Sequence, residues 1–199
     1  MATARVAALV VNEAQHAAAP LPLLSVYAAG TALGAATTGV VLGLLGVVIP
    51  IDTWAAAIAV SCIAVALLTY DLLPGKAHAL SIPRQTCSAW HRRFGNRKAF
   101  FFWGIDLGLG FTTYRVTSLY WLLCSVAVLL LPLWSVPLVM AFYGFGLTVG
   151  LAASIWTERS RPDATLAARP YMLAATARRA YRPVFVLFTL AVVLSALAS

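Results

Sequence analysis

The sequence predicts an all-α, polytopic integral membrane protein. Of its 199 residues, 62% are hydrophobic and only 10% are charged. A soluble domain carries about 25% charged residues, so this chain has too few charges to cover a surface that faces water. The apolar residues are gathered into long runs, and a run of about 20 such residues is what crosses about 30 Å of hydrocarbon. Five segments of the chain meet this requirement.

The five predicted transmembrane helices are separated by prolines, short turns and charged segments. They are residues 23–48, 53–73, 99–131, 135–156 and 184–198. The connections at 49–52 and 132–134 are short, which predicts antiparallel helix hairpins. These five helices and their connections, over residues 23–199, are predicted to form a single transmembrane domain.

Residues 1–22 do not qualify as a transmembrane helix, because Asn12, Glu13 and His16 interrupt the apolar run and Pro20 follows. We predict an amphipathic N-terminal segment that lies on the membrane surface. A cleaved or spanning segment is the alternative that the sequence leaves open.

Two basic linkers predict the orientation of the chain. The linker at 75–98 holds six basic residues and no acidic one, and the linker at 158–182 holds six basic residues against Glu158 and Asp163. Under the positive-inside rule both linkers are cytoplasmic. The N-terminus is then cytoplasmic and the C-terminus outside, which agrees with an odd number of helices. Anionic membrane lipids are the partners that such linkers attract, and neither linker carries a nucleic-acid-binding motif.

Small residues recur at the four-residue spacing that lets helices pack closely in lipid. The predicted helix-packing glycines are Gly30, Gly34, Gly39, Gly43, Gly104, Gly108, Gly146 and Gly150. Packing inside one bundle explains them, and dimerisation through one of the pairs is left open.

The third apolar stretch, 99–131, contains the candidate polar site. It is about a third longer than a membrane requires, and three glycines fall within seven residues. We predict a bend or an unwound segment near 108–113, with Arg115 facing the bundle interior, because an ionisable group at membrane depth usually has a buried partner. The candidate residues are Asp106, Thr112, Thr113, Tyr114 and Arg115. In the alternative interpretation Asp106 lies near the cytoplasmic interface, Arg115 extends to the headgroups, and the two form a structural pair.

The strings GLGFTTYRVTSLYWLL and FYGFGLTVGL resemble the second half of the CcdA/DsbD-type transmembrane family, which belongs to the LysE-like superfamily. The string YAAGTALGAATTGVVLGLLG resembles the second helix of that family, so the resemblance covers about residues 24–198. It implies an incomplete inverted repeat, two helices followed by three, without the family's first helix. It also implies electron transfer between thiols, with a thioredoxin-like partner.

The cysteines depart from the pattern of the family. Thr112, Thr113 and Tyr114 stand where the second half should carry Pro-Cys, and the three cysteines, Cys62, Cys87 and Cys124, lie elsewhere. We expect packing or bystander roles for them. No metal site or cofactor is predicted, because Cys87 with its neighbouring histidines lacks a fourth ligand and the usual spacing.

We therefore expect a non-catalytic, CcdA/LysE-like protein of the bacterial inner membrane, of transport type or a membrane subunit of a larger complex. Its expected partners are lipids and a second membrane protein or copies of itself. Two alternative functions remain open. One is a transmembrane thiol and electron-transfer protein of cytochrome c biogenesis type that works with a partner, and the other is a membrane scaffold for a cytoplasmic enzyme. Sequence motifs of hydrolases, metalloproteases and phosphate loops are absent, so an enzyme is not predicted.

Overall fold

The part of the chain that the structure describes is helical. This structure, a computed structural model, describes residues 20–73, 89–110, 118–159, 183–191 and 193–194. Its helices are α1 (Pro20–Val48), α2 (Thr53–Leu72), α3 (Ala89–Leu109), α4 (Leu119–Leu129), α5 (Val136–Arg159) and, over residues 183–191, α6. No strand occurs in these ranges, which confirms the all-α prediction for them.

Within the described residues, three helices are long and apolar enough to cross a membrane, namely Leu21–Val48, Thr53–Leu72 and Val136–Ala153. Such helices suggest a membrane location. The third predicted transmembrane segment, 99–131, is divided between α3 and α4. Because α4 has 11 residues, its length is about 16 Å at 1.5 Å per residue, too short to cross alone. The count of five transmembrane helices stays a prediction.

Helix α1 packs against α3, α4 and α5, and its contacts give their directions. On α1, Gly30 lies against Phe101 and Gly34 lies against Ile105, so α1 and α3 are parallel. Further along, Gly46 lies against Val128 of α4. Helices α3 and α4 therefore follow each other along α1 in the same direction, α3 beside its first half and α4 beside its second.

Helix α5 runs antiparallel to α1. Gly39 of α1 lies against Pro137 at the start of α5, whereas Thr31 lies against Gly144, two turns further along α5. Near the beginning of α1, Leu23 and Tyr27 form a buried cluster with Phe100 and Trp103 of α3, and Leu151 of α5 packs against that cluster.

Helix α2 packs against α4 and α6. Val60 and Ala64 of α2 form a buried cluster with Leu122 of α4 and Phe185 of α6. Since Ser118 contacts Asp71 at the other end of α2, α2 and α4 are antiparallel. The segments α1, α2, α3 with α4, and α5 thus alternate in direction.

The starts of α1 and α3 differ from the prediction for physical reasons. Helix α1 begins at Pro20 rather than near residue 23, because proline is tolerated in the first turn, where the N–H groups have no helical partner. Helix α3 begins at Ala89, so the last ten residues of the predicted linker 75–98 are helical apart from Gly95. Gly95 divides this helix with φ 72° and ψ 168°. The surface segment over residues 1–19, the rest of the 75–98 linker and nearly all of the 158–182 linker lie outside the described residues.

Candidate functional site

The predicted polar site is described only at its first residue. Asp106 lies on α3, is 6% exposed and has an interaction partner. The other four candidate residues, Thr112, Thr113, Tyr114 and Arg115, lie outside the described residues, so the predicted inward orientation of Arg115 stays a prediction.

The predicted interruption of the third apolar stretch is confirmed. Helix α3 ends at Leu109, and Gly110 has φ 83°, a left-handed conformation that glycine adopts without steric cost and that commonly ends helices. The N–H of Gly110 donates to the carbonyl of Leu107, 3.2 Å away. Ser118 is then the N-cap of α4.

The carbonyl that the end of α3 exposes is satisfied by two neighbouring helices. The Thr38 hydroxyl of α1 donates to the Leu109 carbonyl oxygen at 3.0 Å, and the Tyr120 hydroxyl of α4 donates to the same oxygen at 3.2 Å. Both side chains are buried. A helix end inside a bundle requires such partners, because an unpaired buried carbonyl is costly.

The beginning of α4 is held by a buried carboxylate from α2. Asp71, 6% exposed, accepts from the Ser118 backbone N–H at 2.7 Å and from the Ser118 hydroxyl at 2.8 Å. Both carboxylate oxygens act as acceptors, as in an ionised group. The negative charge lies at a helix N-terminus, where the helix dipole stabilises it.

We call these five residues, Thr38, Asp71, Leu109, Ser118 and Tyr120, the break site. They join α1, α2 and both halves of the interrupted helix through four hydrogen bonds between side chains and backbone or hydroxyl groups. Their polar atoms are oxygens, apart from the Ser118 N–H. Such a set of atoms is suited to a cation or to a polar solute that donates hydrogen bonds.

The sequence analysis predicted the interruption of the third apolar stretch but did not identify the residues of the break site. The missed signal is Asp71, which is the only charged residue between 53 and 73. An ionisable residue inside an apolar helix is by default a candidate for function. Thr38, Ser118 and Tyr120 gave no such signal, because hydroxyl side chains are common in helices that pack closely.

The predicted packing glycines fall into two groups. Six of them would place a Cβ atom against the neighbouring helix or turn: Gly30, Gly34, Gly39, Gly43, Gly104 and Gly108. At Gly146 and Gly150, no atom of the described residues lies within 4 Å of the Cβ position. The described part of the chain therefore shows no helix-packing contact for these two glycines. Gly144, which the sequence analysis did not select, lies against the Thr31 carbonyl instead.

Neither described cysteine takes part in the four hydrogen bonds of the break site. Cys62 is exposed on α2, and Cys124 is buried on α4 in a cluster with Ala127 and Met140. Cys87 lies outside the described residues. Across the described ranges, no three His, Cys, Asp or Glu side chains are grouped to hold a metal ion.

Comparisons with protein-family models, with curated proteins and with solved structures find no match to this chain. The class of protein is therefore defined by geometry alone. It is a bundle of apolar helices in which one helix is interrupted in the interior, with a buried carboxylate and three hydroxyls at the interruption.

Proposed function

We propose that this chain is a polytopic integral membrane protein of transport type, and that the break site lies on the path of a small polar solute. The three long apolar helices support the membrane location. The alternating directions of the successive segments support a chain that crosses the membrane repeatedly.

The interrupted helix is the observation that carries this proposal. A continuous helix satisfies its own backbone groups, and in lipid an interruption is tolerated only where it is buried in protein or lines a cavity. Here the interruption is satisfied by two other helices, through the Thr38 hydroxyl of α1 and the buried Asp71 carboxylate of α2. In many transporters, discontinuous helices place their free ends at the substrate site near the middle of the bilayer.

The proposed topology has five transmembrane segments in a bacterial inner membrane, with the N-terminus in the cytoplasm and the C-terminus outside. It is supported by the placement of the two short turns at one end of the bundle, because Leu133 in the second turn lies 2.8 Å from the Cβ position of Gly43, near the first. The basic linkers at 75–98 and 158–182 follow helices that run towards the other end.

The family assignment is also a proposal. Its support is the resemblance of the two glycine-rich strings, around the interruption and on α5, to the CcdA/DsbD-type family. In this proposal the chain keeps the membrane architecture of that family as two helices followed by three. It does not use the thiol relay, since no cysteine stands at the family's positions.

The test measures solute-driven charge movement. Purified protein is reconstituted into liposomes on a solid-supported membrane and challenged with jumps of Na⁺, K⁺, lysine, alanine and serine. We expect a transient current with at least one of these solutes, absent from empty liposomes and lost in Asp71→Asn. The matched control, Asp52→Asn, changes the same side chain at the exposed N-cap of α2, where asparagine caps equally well, and should keep the current.

The same preparation separates the alternatives. Mass spectrometry of the protein purified in mild detergent shows what accompanies it. No current with any solute, together with a stoichiometric membrane partner, would replace transport with the role of a membrane subunit. A mixed disulfide with a thioredoxin-like protein would support thiol transfer, and a stoichiometric soluble enzyme would support the scaffold.

A further inference from the structure

An open groove lies between the beginning of α1 and the first half of α3. Its volume is about 530 Å³, and its lining is mainly apolar. The described residues that line it are Val26, Phe94, Arg97, Lys98, Phe101 and Phe102. The break site shares no residue with this groove.

The groove is shaped by the bend at Gly95. The rings of Phe94 and Phe102 are 5.6 Å apart, although eight residues of a straight helix would separate their backbones by about 12 Å. The backbone of Gly95, with φ 72° and ψ 168°, adopts a conformation that is essentially restricted to glycine. The bend therefore turns the first part of α3 so that Phe94 joins the same aromatic wall as Phe102.

The rim of the groove is basic. Arg97 and Lys98 are exposed and line it, and the guanidinium of Arg93 lies 5.5 Å from the centre of the Phe94 ring, a cation–π contact. No acidic side chain is among the described residues of the lining. The two residues that follow, Ala99 and Phe100, are fully buried, so the change from exposed charge to apolar interior occurs within one residue.

We propose that this groove binds one anionic phospholipid. The lipid phosphate pairs with Arg97 and Lys98. The part of an acyl chain nearest the headgroup lies along Val26, Phe101 and Phe102. The apolar lining excludes a soluble anion as the natural occupant, because such an anion would leave the aromatic wall exposed, and the basic rim selects an anionic headgroup over a zwitterionic one. The inference rests on the membrane location proposed above and not on transport.

The test is lipid retention by the purified full-length protein in detergent, measured by native mass spectrometry with added phosphatidylglycerol or phosphatidylcholine. We expect a preference for phosphatidylglycerol, and about a thirtyfold loss of its affinity in Arg97→Gln/Lys98→Gln, since each of the two basic residues near a membrane contributes about 1 kcal/mol. The matched control, Arg159→Gln/Arg161→Gln, removes the same charge from the 158–182 linker and should retain the lipid.

A second variant tests the apolar half of the groove. Phe102→Ala truncates a ring that is 38% exposed and should weaken phosphatidylglycerol binding with no change of charge. Equal binding of the two lipids, equal loss in both charge variants, or full displacement of phosphatidylglycerol by soluble glycerol 1-phosphate would overturn the inference. Lipid retention is measured without solute, so it can succeed even if no solute-driven current is found. A failure to retain the lipid would likewise leave the transport proposal untouched.

Discussion

Asp71 is the residue on which the geometry of the break site depends. Its carboxylate accepts two hydrogen bonds from Ser118 and is buried. In Asp71→Asn only one amide atom can accept, and the negative charge at the N-terminus of α4 is removed. We expect the free energy of unfolding to fall by about 1–3 kcal/mol, the cost of a buried donor left unsatisfied. Titration with sodium dodecyl sulfate of the protein in dodecyl maltoside measures this change.

Asp52→Asn is the matched control for that measurement. Asp52 accepts from the Ala55 N–H at 2.9 Å at an exposed helix start, and asparagine is an equally good N-cap. We expect a change below about 0.5 kcal/mol. Equal effects of the two substitutions would mean that the Asp71 carboxylate does not hold α4.

Position 110 requires glycine because of its backbone conformation and because of the Tyr120 side chain beside it. An added Cβ would collide with the ring and hydroxyl of Tyr120, and φ 83° costs an L-residue about 1–2 kcal/mol. Gly110→Ala should therefore lower the midpoint of thermal unfolding, and the displaced tyrosine should lose its bond to Leu109. Gly146→Ala is the control, since no atom of the described residues lies within 4 Å of the Cβ position of Gly146 in α5 and alanine favours a helix. An unfolding midpoint in Gly110→Ala as high as in this control would contradict the described turn.

The residues that sequence reasoning could identify are those with a strong local signal. Buried Asp106 and six of the eight glycines at four-residue spacing carry such a signal, because charge in an apolar run and small residues at close contacts follow general rules. The partnership of Asp71 with Ser118 joins residues 47 positions apart, and a single sequence gives no measure of which distant residues meet.

The interruption of the third stretch is the element-scale feature that the sequence reveals best. Excess length and clustered glycines predict it, and the helix ends at Leu109 within the predicted region. The start of α3 was not predictable in the same way. Arg92, Arg93 and Arg97 resemble a solvated linker by composition, yet arginine is a good helix former, and the residues from Ala89 onwards are helical apart from the kink at Gly95.

The contact between α1 and α3 depends on glycine at both surfaces. A Cβ on Gly104 would lie 2.5 Å from the Tyr27 carbonyl oxygen and 3.0 Å from the Gly30 Cα, both backbone atoms. Gly104→Ala must therefore push the helices apart, and we expect a loss of about 1–3 kcal/mol, as for overpacked cores. Detergent unfolding measures this loss. The control is Gly150→Ala in α5, where no atom of the described residues lies within 4 Å of the Cβ position. A variant at Gly104 as stable as that control would show that the helices do not approach this closely.

At the scale of the whole molecule, the two ends of the bundle differ in charge. The described cations Arg93, Arg97 and Lys98 lie at the end where α1 begins, and the two short turns lie at the other. Basic residues beside membrane-spanning segments are retained in the cytoplasm. The groove for an anionic lipid and the proposed cytoplasmic face therefore belong to the same end, whereas the break site lies further along α1, at the level of Thr38.

This arrangement predicts which positions are reached from outside an intact cell. In a Cys62→Ser/Cys124→Ser background that keeps Cys87, we introduce Ile51→Cys in the first turn and Trp134→Cys in the second; both positions are exposed. An impermeant maleimide should label both introduced thiols and should miss Cys87 and Arg178→Cys until the membrane is opened. Labelling of Cys87 in intact cells would reverse the orientation. Labelling of only one of the two turns would contradict the bundle itself, because Leu133 packs beside Gly43 and holds both turns at the same end.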